Sequence, residues 1–330
     1  MSGMRETETT SNWDVVIVGA GMAGASLAWR LLQPEAGPAL RVLLVERESQ
    51  PGAHSTGRSA AMYMPSYGPP AARALTRASR AFYEAPPAGF TDQPLLTPRG
   101  VLYVAAPGQG EAMDALHAEL APACAGLQRW DAAATLARAP CLRPDQVMGA
   151  LWDPESTDID VQALHQGFLR GFRRAGGTVR CGAAVSAAQR DGSGDWLVQM
   201  DDGSTAATRT LVNAAGAWGD VLAGQCGVAP VGLVPRRRSA FTFRAPAGVA
   251  TAGWPAVVGV DEGWYFKPDA GQLLGSPANA DDTVPHDVRP EELDIALGIH
   301  RIEAMTDLQI NRPTATWAGL RSFVPDGELV

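Results

Sequence analysis

The chain has 330 residues, and its 46% hydrophobic content is enough for two domains with buried cores. Its 35 acidic and 27 basic residues give a formal net charge of -8, which disfavours nucleic acid and anionic membranes as partners. The four cysteines show no CxxC or metal-ligand spacing, so we expect no metal and no disulfide framework, and a reducing cytoplasmic location. No apolar run is long enough for an integral membrane segment.

The first predicted elements form a βαβ unit. Residues 1–12 are polar and are expected to be a flexible tail. From Trp13 a β-branched apolar run leads into glycines and then into apolar residues at helical spacing, which predicts strand, turn and helix. A second buried strand is predicted at 41–46, as a parallel sheet requires.

The turn of this unit carries a dinucleotide-binding pattern. Gly19, Gly21 and Gly24 form GxGxxG between the predicted strand and helix, and Glu46 ends the next strand. Such glycines permit the tight turn, the approach of a pyrophosphate and close helix packing, and the acid accepts hydrogen bonds from a ribose. The alternative is that the glycines serve only a tight turn. The pattern by itself does not distinguish NAD from FAD.

Further along the chain, helical and strand patterns alternate. Helices are predicted at 111–120, 158–175 and 290–305. Short strands are predicted within 101–105, 178–185, 195–200, 209–218, 238–243 and 263–268. This order predicts an α/β protein: a Rossmann-like domain with an inserted α+β domain on a mixed or antiparallel sheet.

The expected domains are discontinuous. The first is the nucleotide-binding domain, and the second is inserted into it. The first domain is expected to contain 13–60, 151–227 and 315–330, and the second to contain 61–150 and 228–314. The segment 315–330 appears truncated, because no closing element follows it.

Several long segments resemble the D-amino acid oxidase superfamily of flavoenzymes, and within it the FAD-dependent D-arginine dehydrogenases most closely. The resemblance runs from Trp13 to the last residue, and its motifs are GAHSTGRSAA, RALTRASRAFYEAPPAGF, DIDVQALHQGFLRGFRR, LVNAAGAW, RRRSAF, YFKPDAGQLLGSPANAD and TWAGLRSFVPDG. It implies FAD as the cofactor and a substrate domain whose sheet covers the flavin. Relatives continue past the final motif, so we expect a flavin site that lacks a wall and retains FAD weakly.

The resemblance also implies a set of cofactor contacts. Small and hydroxylic residues in HSTGRSAA would let the backbone approach the flavin and would supply donors. The alternative for this segment is an ordinary helix start capped by Ser55 or Thr56. The implied FAD contacts are Gly19, Gly21, Gly24, Glu46, Arg47, Ser55, Thr56, Arg58, Ser59, Ala60, Val185 and Gly216.

Two arginines are candidates for binding a substrate carboxylate. Arg238 and Arg321 lie in mixed apolar segments, and the planar fork of an arginine matches a carboxylate. In the family the matching positions bind the carboxylate of the substrate. The alternative for Arg238 is a solvated basic run with Arg236 and Arg237.

Other candidates line the expected substrate site. Tyr67 and Tyr265 match family tyrosines there, with a core tyrosine as the alternative. Where D-arginine dehydrogenases carry glutamate, histidine and threonine, this chain has Val101, Met62 and Met64. A valine cannot pair with a buried guanidinium, so we expect apolar side chains to be preferred over arginine.

The resemblance implies an FAD-dependent amino acid dehydrogenase or oxidase acting on CH–NH2. Hydride would pass from Cα to flavin N5, and the resulting imine would hydrolyse to a 2-oxo acid and ammonia. Electrons would then pass to a quinone, another carrier or oxygen. The alternatives are a sarcosine-type enzyme acting on N-methyl amino acids and a truncated, non-catalytic FAD-binding protein.

Overall fold

The structure, a computed structural model, describes residues 11–327. Its strands are β1 (Ser11–Val18), β2 (Val42–Val45), β3 (Met62–Tyr63), β4 (Leu96–Pro98), β5 (Val101–Ala105), β6 (Gln128–Asp131), β7 (Gly149–Asp153), β8 (Thr157–Ile159), β9 (Thr178–Arg180), β10 (Val185–Arg190), β11 (Trp196–Met200), β12 (Thr205–Asn213), β13 (Val234–Phe243), β14 (Ala256–Gly259), β15 (Tyr265–Asp269), β16 (Gln272–Ser276), β17 (Asp281–Asp282) and β18 (Ala315–Phe323). Its α-helices are α1 (Met22–Leu31), α2 (Pro70–Glu84), α3 (Gly110–Leu120), α4 (Ala132–Arg138), α5 (Val161–Arg174), α6 (Gly219–Gln225) and α7 (Glu292–Met305).

Contacts between Cα atoms divide the chain into two compact units. Within the described residues, unit 1 contains 11–57, 87–93 and 161–234. Unit 2 contains 58–86, 94–160 and 235–327. Each unit is therefore assembled from separate stretches of chain.

Unit 1 is built on a sheet with the strand order β10-β11-β12-β1-β2-β9. β12, β1, β2 and β9 run parallel, while β10 and β11 are antiparallel to their neighbours. Val16, Ile17 and Leu43 are fully buried, as the strands of a sheet covered on both faces require. Among the helices, α1 packs against α5. Unit 1 has the predicted Rossmann-like organisation.

Unit 2 is built on a larger mixed sheet, which has the order β17-β13-β16-β15-β14-β5-β7-β6, with β18 paired to β13. Most neighbouring strands are antiparallel, and β14 pairs with β5 in parallel. One core cluster includes the fully buried side chains of Phe241 and Phe266 and the half-buried Trp152. A small sheet of order β3-β8-β4 lies at the segment that carries Met62.

The α/β class is confirmed, and several predicted bounds differ from the structure. β1 begins at Ser11, because Ser11 and Asn12 pair with Ala206 and Ala207 of β12. The expected tail is therefore wrong for these two residues, and residues 1–10 lie outside the described residues. The segment 178–190 forms two strands, β9 and β10, at opposite edges of the unit 1 sheet. α2, α4 and α6 were not predicted.

The compact units also differ from the expected domain boundaries. The expected last part of the nucleotide-binding domain, 315–330, lies in unit 2 as far as residue 327, because β18 pairs with β13. Residues 328–330 lie outside the described residues. The chain passes back to unit 1 only at Val161, where α5 begins, and 87–93 belongs to unit 1 as well.

Candidate functional site

A cavity of about 380 Å³ opens in unit 1 beside the residues that follow β1, β2 and β12. Sites for nucleotides in open parallel sheets lie at these carboxyl ends of the strands, and this volume is typical of ligand pockets. The cofactor residues predicted from the sequence that line the cavity are Gly19, Gly21, Glu46, Arg47, Ser55, Thr56, Val185 and Gly216.

Close backbone contacts require glycine at two of the three positions, and the third glycine faces the cavity. Gly19 has φ +105°, and a Cβ on it would lie 2.3 Å from the carbonyl oxygen of Ala214. A Cβ on Gly24 would lie 1.8 Å from the carbonyl oxygen of Gly19. Gly21 faces the cavity, where a Cβ would approach Thr56 Oγ1 to 3.2 Å. The turn is therefore a cradle that larger side chains would fill.

The Glu46 carboxylate is held at the wall of this cavity. It is buried, and its two oxygens accept hydrogen bonds from Ala20 N and Glu48 N, each at 3.0 Å. These bonds fix the carboxylate directly after β2, where it can accept hydrogen bonds from ribose hydroxyls. A negative charge here disfavours a ligand with a 2′-phosphate.

A residue of the segment HSTGRSAA caps α1, and the segment itself does not begin a helix. Residues 51–58 form turns, so the expected alternative of a helix starting here is wrong. Thr56 Oγ1 instead accepts a hydrogen bond from Met22 N at 3.0 Å, at the first residue of α1. Gly21, the N-cap residue of α1, offers no side chain for this purpose. Thr56 thus ties this segment to the glycine turn.

At the rim of the cavity Arg47, a predicted FAD contact, meets two aromatic residues that were not predicted, Trp218 and His54. The guanidinium of Arg47 lies 4.9 Å from the ring centroid of Trp218, and the His54 ring lies 4.7 Å from the same ring. His54 Nε2 is 2.9 Å from Glu48 Oε1. All but Glu48 line the cavity. Three aromatic or planar groups in contact would offer a flat surface to a heterocycle.

Four of the predicted cofactor residues do not line this cavity. Gly24 packs beneath the turn. Arg58, Ser59 and Ala60 belong to unit 2, where Arg58 donates to the carbonyls of Val288 and Ala318 and forms an ion pair with Asp287. Their role as FAD contacts stays a prediction.

Unit 2 brings together the four polar residues predicted for the substrate. Arg321 Nη1 donates to Tyr67 Oη at 2.9 Å. Arg238 Nε donates to the carbonyl oxygen of Asn279 at 2.8 Å. For Tyr265, burial is the main influence on the pKa of the hydroxyl, and the charges of Arg238 and Arg321 act in the opposite direction. Burial raises the pKa of Tyr265, so its hydroxyl keeps its proton near neutral pH and acts as a hydrogen-bond donor.

The two arginines lack the acidic partners that neighbouring arginines have. Within residues 11–327, no carboxylate oxygen lies within 4 Å of Arg238 or Arg321. Arg237, next to Arg238 on β13, forms ion pairs with Asp281, Glu291 and Asp294. The expected alternative of a shared solvated run therefore does not describe Arg238. Two uncompensated guanidinium groups are suited to bind an anionic ligand.

A groove of about 510 Å³ in unit 2 is lined by two of the four polar residues, Tyr67 and Arg321, but not by Arg238 or Tyr265. Met62, Met64, Tyr67 and Arg321 line it, as do residues of α2. Among the described residues that line the groove, none is acidic and Arg321 is the one cation. The α2 residues repeat at helical spacing, a pattern from which the helix could have been predicted; they are Ala72, Leu75, Thr76, Ser79 and Tyr83.

Val101 is not among the residues that line the groove. Its side chain is fully buried in the strand β5, within a cluster against which Met62 and Met64 pack. The sequence comparison placed it at a position that selects the substrate side chain. In the structure Val101 belongs to the buried cluster against which the two methionines pack.

Comparison with known proteins identifies the family. The sequence profile of the family DAO, described as FAD dependent oxidoreductase, matches residues 14–330. The chain belongs to this family. A human relative, mitochondrial dimethylglycine dehydrogenase, is 33% identical over 79 residues, which are 24% of this chain and 9% of the human protein.

Solved structures share the fold of this DAO member. Glycine oxidase from Geobacillus kaustophilus has a TM-score of 0.81 and 22% identity, covering 97% of this chain and 85% of that chain. Dithionite-reduced L-α-glycerophosphate oxidase from Mycoplasma pneumoniae, with FAD bound, has a TM-score of 0.84 and 18% identity, covering 96% of this chain and 84% of that chain. At such identities the likeness establishes the fold.

FAD is the cofactor of the DAO family, and the unit 1 cavity fits it. The glycine cradle, the N-terminus of α1 and the fixed Glu46 carboxylate together provide for a pyrophosphate and a ribose.

Within residues 11–327, no helix combines the length and the apolar character needed to cross a bilayer.

Proposed function

We propose that the protein is an FAD-dependent dehydrogenase or oxidase that converts the CH–NH2 group of D-amino acids to an imine, which water hydrolyses to a 2-oxo acid and ammonia. The observation that carries this proposal is the pair Arg238 and Arg321, which have no carboxylate partner within residues 11–327. An amino acid supplies the missing carboxylate. The choice of the D enantiomer rests on the sequence resemblance.

The residues of unit 2 would bind and orient the substrate. Arg321 donates to Tyr67 Oη, so the Tyr67 hydroxyl keeps its own proton available for a substrate carboxylate. Arg238 uses Nε for the Asn279 carbonyl, which leaves the Nη groups for the same purpose. Fixing the carboxylate restricts the orientation of Cα–H, which is how a binding site lowers the entropic part of a barrier.

Bound FAD would supply the hydride acceptor that amino acid side chains do not provide. The hydroxyl of Tyr265 would not serve as a base near neutral pH, because burial raises its pKa. In the proposed reaction the substrate amine loses its ammonium proton to water before it reacts. Activity should accordingly rise with pH as the amine is deprotonated.

The groove supports a preference for apolar side chains. Met62, Met64 and Phe323 line it, and no acidic residue among its described residues could pair with a guanidinium. Methionine side chains adapt to different shapes, so several apolar substrates could be accepted. D-Arginine would bring an unpaired cation into this environment.

Anaerobic mixing of the FAD-loaded protein with single substrates tests the proposal. We expect D-leucine and D-phenylalanine to bleach the flavin absorbance faster than D-arginine, and their L enantiomers to leave it unchanged. Bleaching by L enantiomers alone would contradict the assigned stereochemistry. No reduction by any amino acid would favour the non-catalytic alternative, and reoxidation with oxygen or a quinone would identify the acceptor.

A second candidate is oxidation of an N-methyl amino acid. The match of 79 residues to a dimethylglycine dehydrogenase favours it. Such a substrate carries the same carboxylate, so the arginine pair does not separate the two candidates. Faster bleaching by sarcosine than by D-alanine would support this alternative.

A further inference from the structure

Unit 2 contains a buried hydrogen-bond network next to the groove. Ser66 Oγ donates to Asp153 Oδ2 at 2.6 Å and lies 2.8 Å from Tyr103 Oη. Ser156 Oγ donates to the same oxygen of Asp153 at 2.6 Å, and the backbone N–H of Glu155 donates to Oδ1 at 2.9 Å. Ser66, Tyr103 and Asp153 are far apart in the sequence, and no pattern in the sequence connects them.

The hydrogen bonds of the network have a defined direction. A serine hydroxyl has one proton, and that of Ser66 goes to Asp153. The bond between Tyr103 and Ser66 must therefore be donated by Tyr103. Burial raises the pKa of Tyr103, which keeps this donor protonated. The bonds run from Tyr103 through Ser66 to Asp153, and such chains reinforce one another.

The network is fully buried but contains no cation. The side chains of Asp153 and Ser156 are 0% exposed, Tyr103 is 1% exposed and Ser66 is 3% exposed. Within the described residues, no Lys, Arg or His nitrogen forms an ion pair with Asp153. Burying such polar groups contributes little net stability compared with apolar packing, so a role in fixing a particular geometry accounts better for them.

Ser66 directly precedes the tyrosine of the candidate substrate site. Tyr67 N donates to the carbonyl oxygen of Met64 at 3.2 Å, which closes a turn around Ser66. Tyr67 Oη in turn accepts the hydrogen bond from Arg321, whose guanidinium also lies 5.5 Å from the centroid of the Tyr67 ring. The position of the turn therefore determines where Tyr67 and Arg321 meet.

We propose that Ser66, Tyr103 and Asp153 are positioning residues: their network fixes the Met64–Tyr67 turn and, through the Tyr67 hydroxyl, orients Arg321 toward the substrate carboxylate. This inference rests on the proposed function of the arginine pair. It assigns the network a role in carboxylate affinity in addition to its place in the core.

Ser66→Ala tests the proposal, with Ser156→Ala as a matched control. Each variant removes a buried serine hydroxyl bonded to Asp153 Oδ2 at 2.6 Å, but Ser156 does not belong to the Met64–Tyr67 turn. We expect both to lower the melting temperature. Ser66→Ala should also raise KM for D-leucine roughly fivefold to tenfold with little change in kcat, since a lost hydrogen bond weakens uniform binding by about this factor.

The second readout is binding rather than turnover. Isothermal titration calorimetry with phenylacetate, a carboxylate that lacks the amine, should give a dissociation constant that rises by a similar factor in Ser66→Ala and is unchanged in Ser156→Ala. In a Tyr67→Phe background, Ser66→Ala should have no further effect on either constant, because the network acts through the hydroxyl that this background lacks. If Ser66→Ala does not fold, Tyr103→Phe should show the same pattern with a smaller effect.

The outcomes separate this proposal from the proposed function. Equal KM and equal phenylacetate affinity in Ser66→Ala and Ser156→Ala, with an active wild-type protein, would overturn the positioning role alone. The same would follow if the two effects of Ser66→Ala and Tyr67→Phe were additive. A wild-type protein that neither binds phenylacetate nor oxidises any amino acid would overturn both proposals.

Discussion

The two units build their candidate sites in opposite ways. In unit 1 the cradle and its carboxylate come from one βαβ unit, with Gly19, Gly24 and Glu46 close in sequence. In unit 2 the polar groups come from a turn and from three strands, and Tyr67 and Arg321 meet although they are 254 positions apart. A local site can be read from a motif, whereas a long-range site depends on how the sheet is ordered.

Two neighbouring arginines on β13 also have different surroundings. Arg237 and Arg238 are neighbours on a strand, so their side chains point to opposite faces of the sheet. Arg237 is surrounded by three carboxylates, and Arg238 by none within 4 Å among residues 11–327. The same residue type is structural on one face and available for a ligand on the other.

The strongest test of the local site is Gly24→Ala. Its Cβ would lie 1.8 Å from the backbone oxygen of Gly19, so the turn must shift. We expect the affinity for FAD to fall by more than about 100-fold, as measured by fluorescence titration of the apoprotein with FAD. Gly224→Ala is the matched control, because Gly224 lies in α6 with open space around it. Equal FAD affinity in the two variants would contradict the cradle.

The two arginines of β13 test the long-range site. Arg238→Met should raise KM for D-leucine by roughly 100-fold with a small change in melting temperature, since it removes a charge-assisted bond to the substrate. Arg237→Met should leave KM nearly unchanged and lower the free energy of unfolding by about 3 kcal/mol, because Asp294 would lose its cation. If the two variants exchanged these effects, the assignment of Arg238 would be wrong.

The smallest expected effect is a loss of stability at alkaline pH, which we expect to come from unit 2. All five tyrosines belong to segments of unit 2, and burial raises the pKa of Tyr103 and Tyr265. In the unfolded chain a tyrosine loses its proton above about pH 10, whereas these buried ones keep theirs. The contribution of these tyrosines to the free energy of unfolding is therefore fully present below about pH 10 and is lost as the pH rises further.

Melting temperatures between pH 8 and pH 11 would measure this loss. We expect Tyr103→Phe to have a lower melting temperature than the wild type at pH 8 and a shallower decline above pH 10. Parallel declines in both proteins would show that ionisation of Tyr103 does not contribute.

Much of unit 1 could be predicted from the sequence. The glycine turn, β2 and the position of Glu46 follow from local patterns, because a tight turn and a buried parallel strand restrict which residues are possible. The contacts of Arg47 and His54 with Trp218 could not be predicted, since they join segments that follow β2 and β12 and are far apart in the chain.

In unit 2 the sequence resemblance selected the four polar residues, but not their surroundings. The Ser66–Asp153–Tyr103 network joins a turn and two strands, and no periodicity links those positions. The complete burial of Val101 was also not predicted. Val101 is buried because β5 lies between β14 and β7 in the interior of the sheet.

The sequence by itself determined the βαβ unit, the nucleotide turn and the family, because these depend on residues near one another in the chain. Only the tertiary structure decided that β18 pairs with β13, that β9 and β10 lie at opposite edges of their sheet, and that Arg238 differs from Arg237. Strand order and burial result from the packing of the whole chain, and so the same short segment is compatible with several environments until that packing is known.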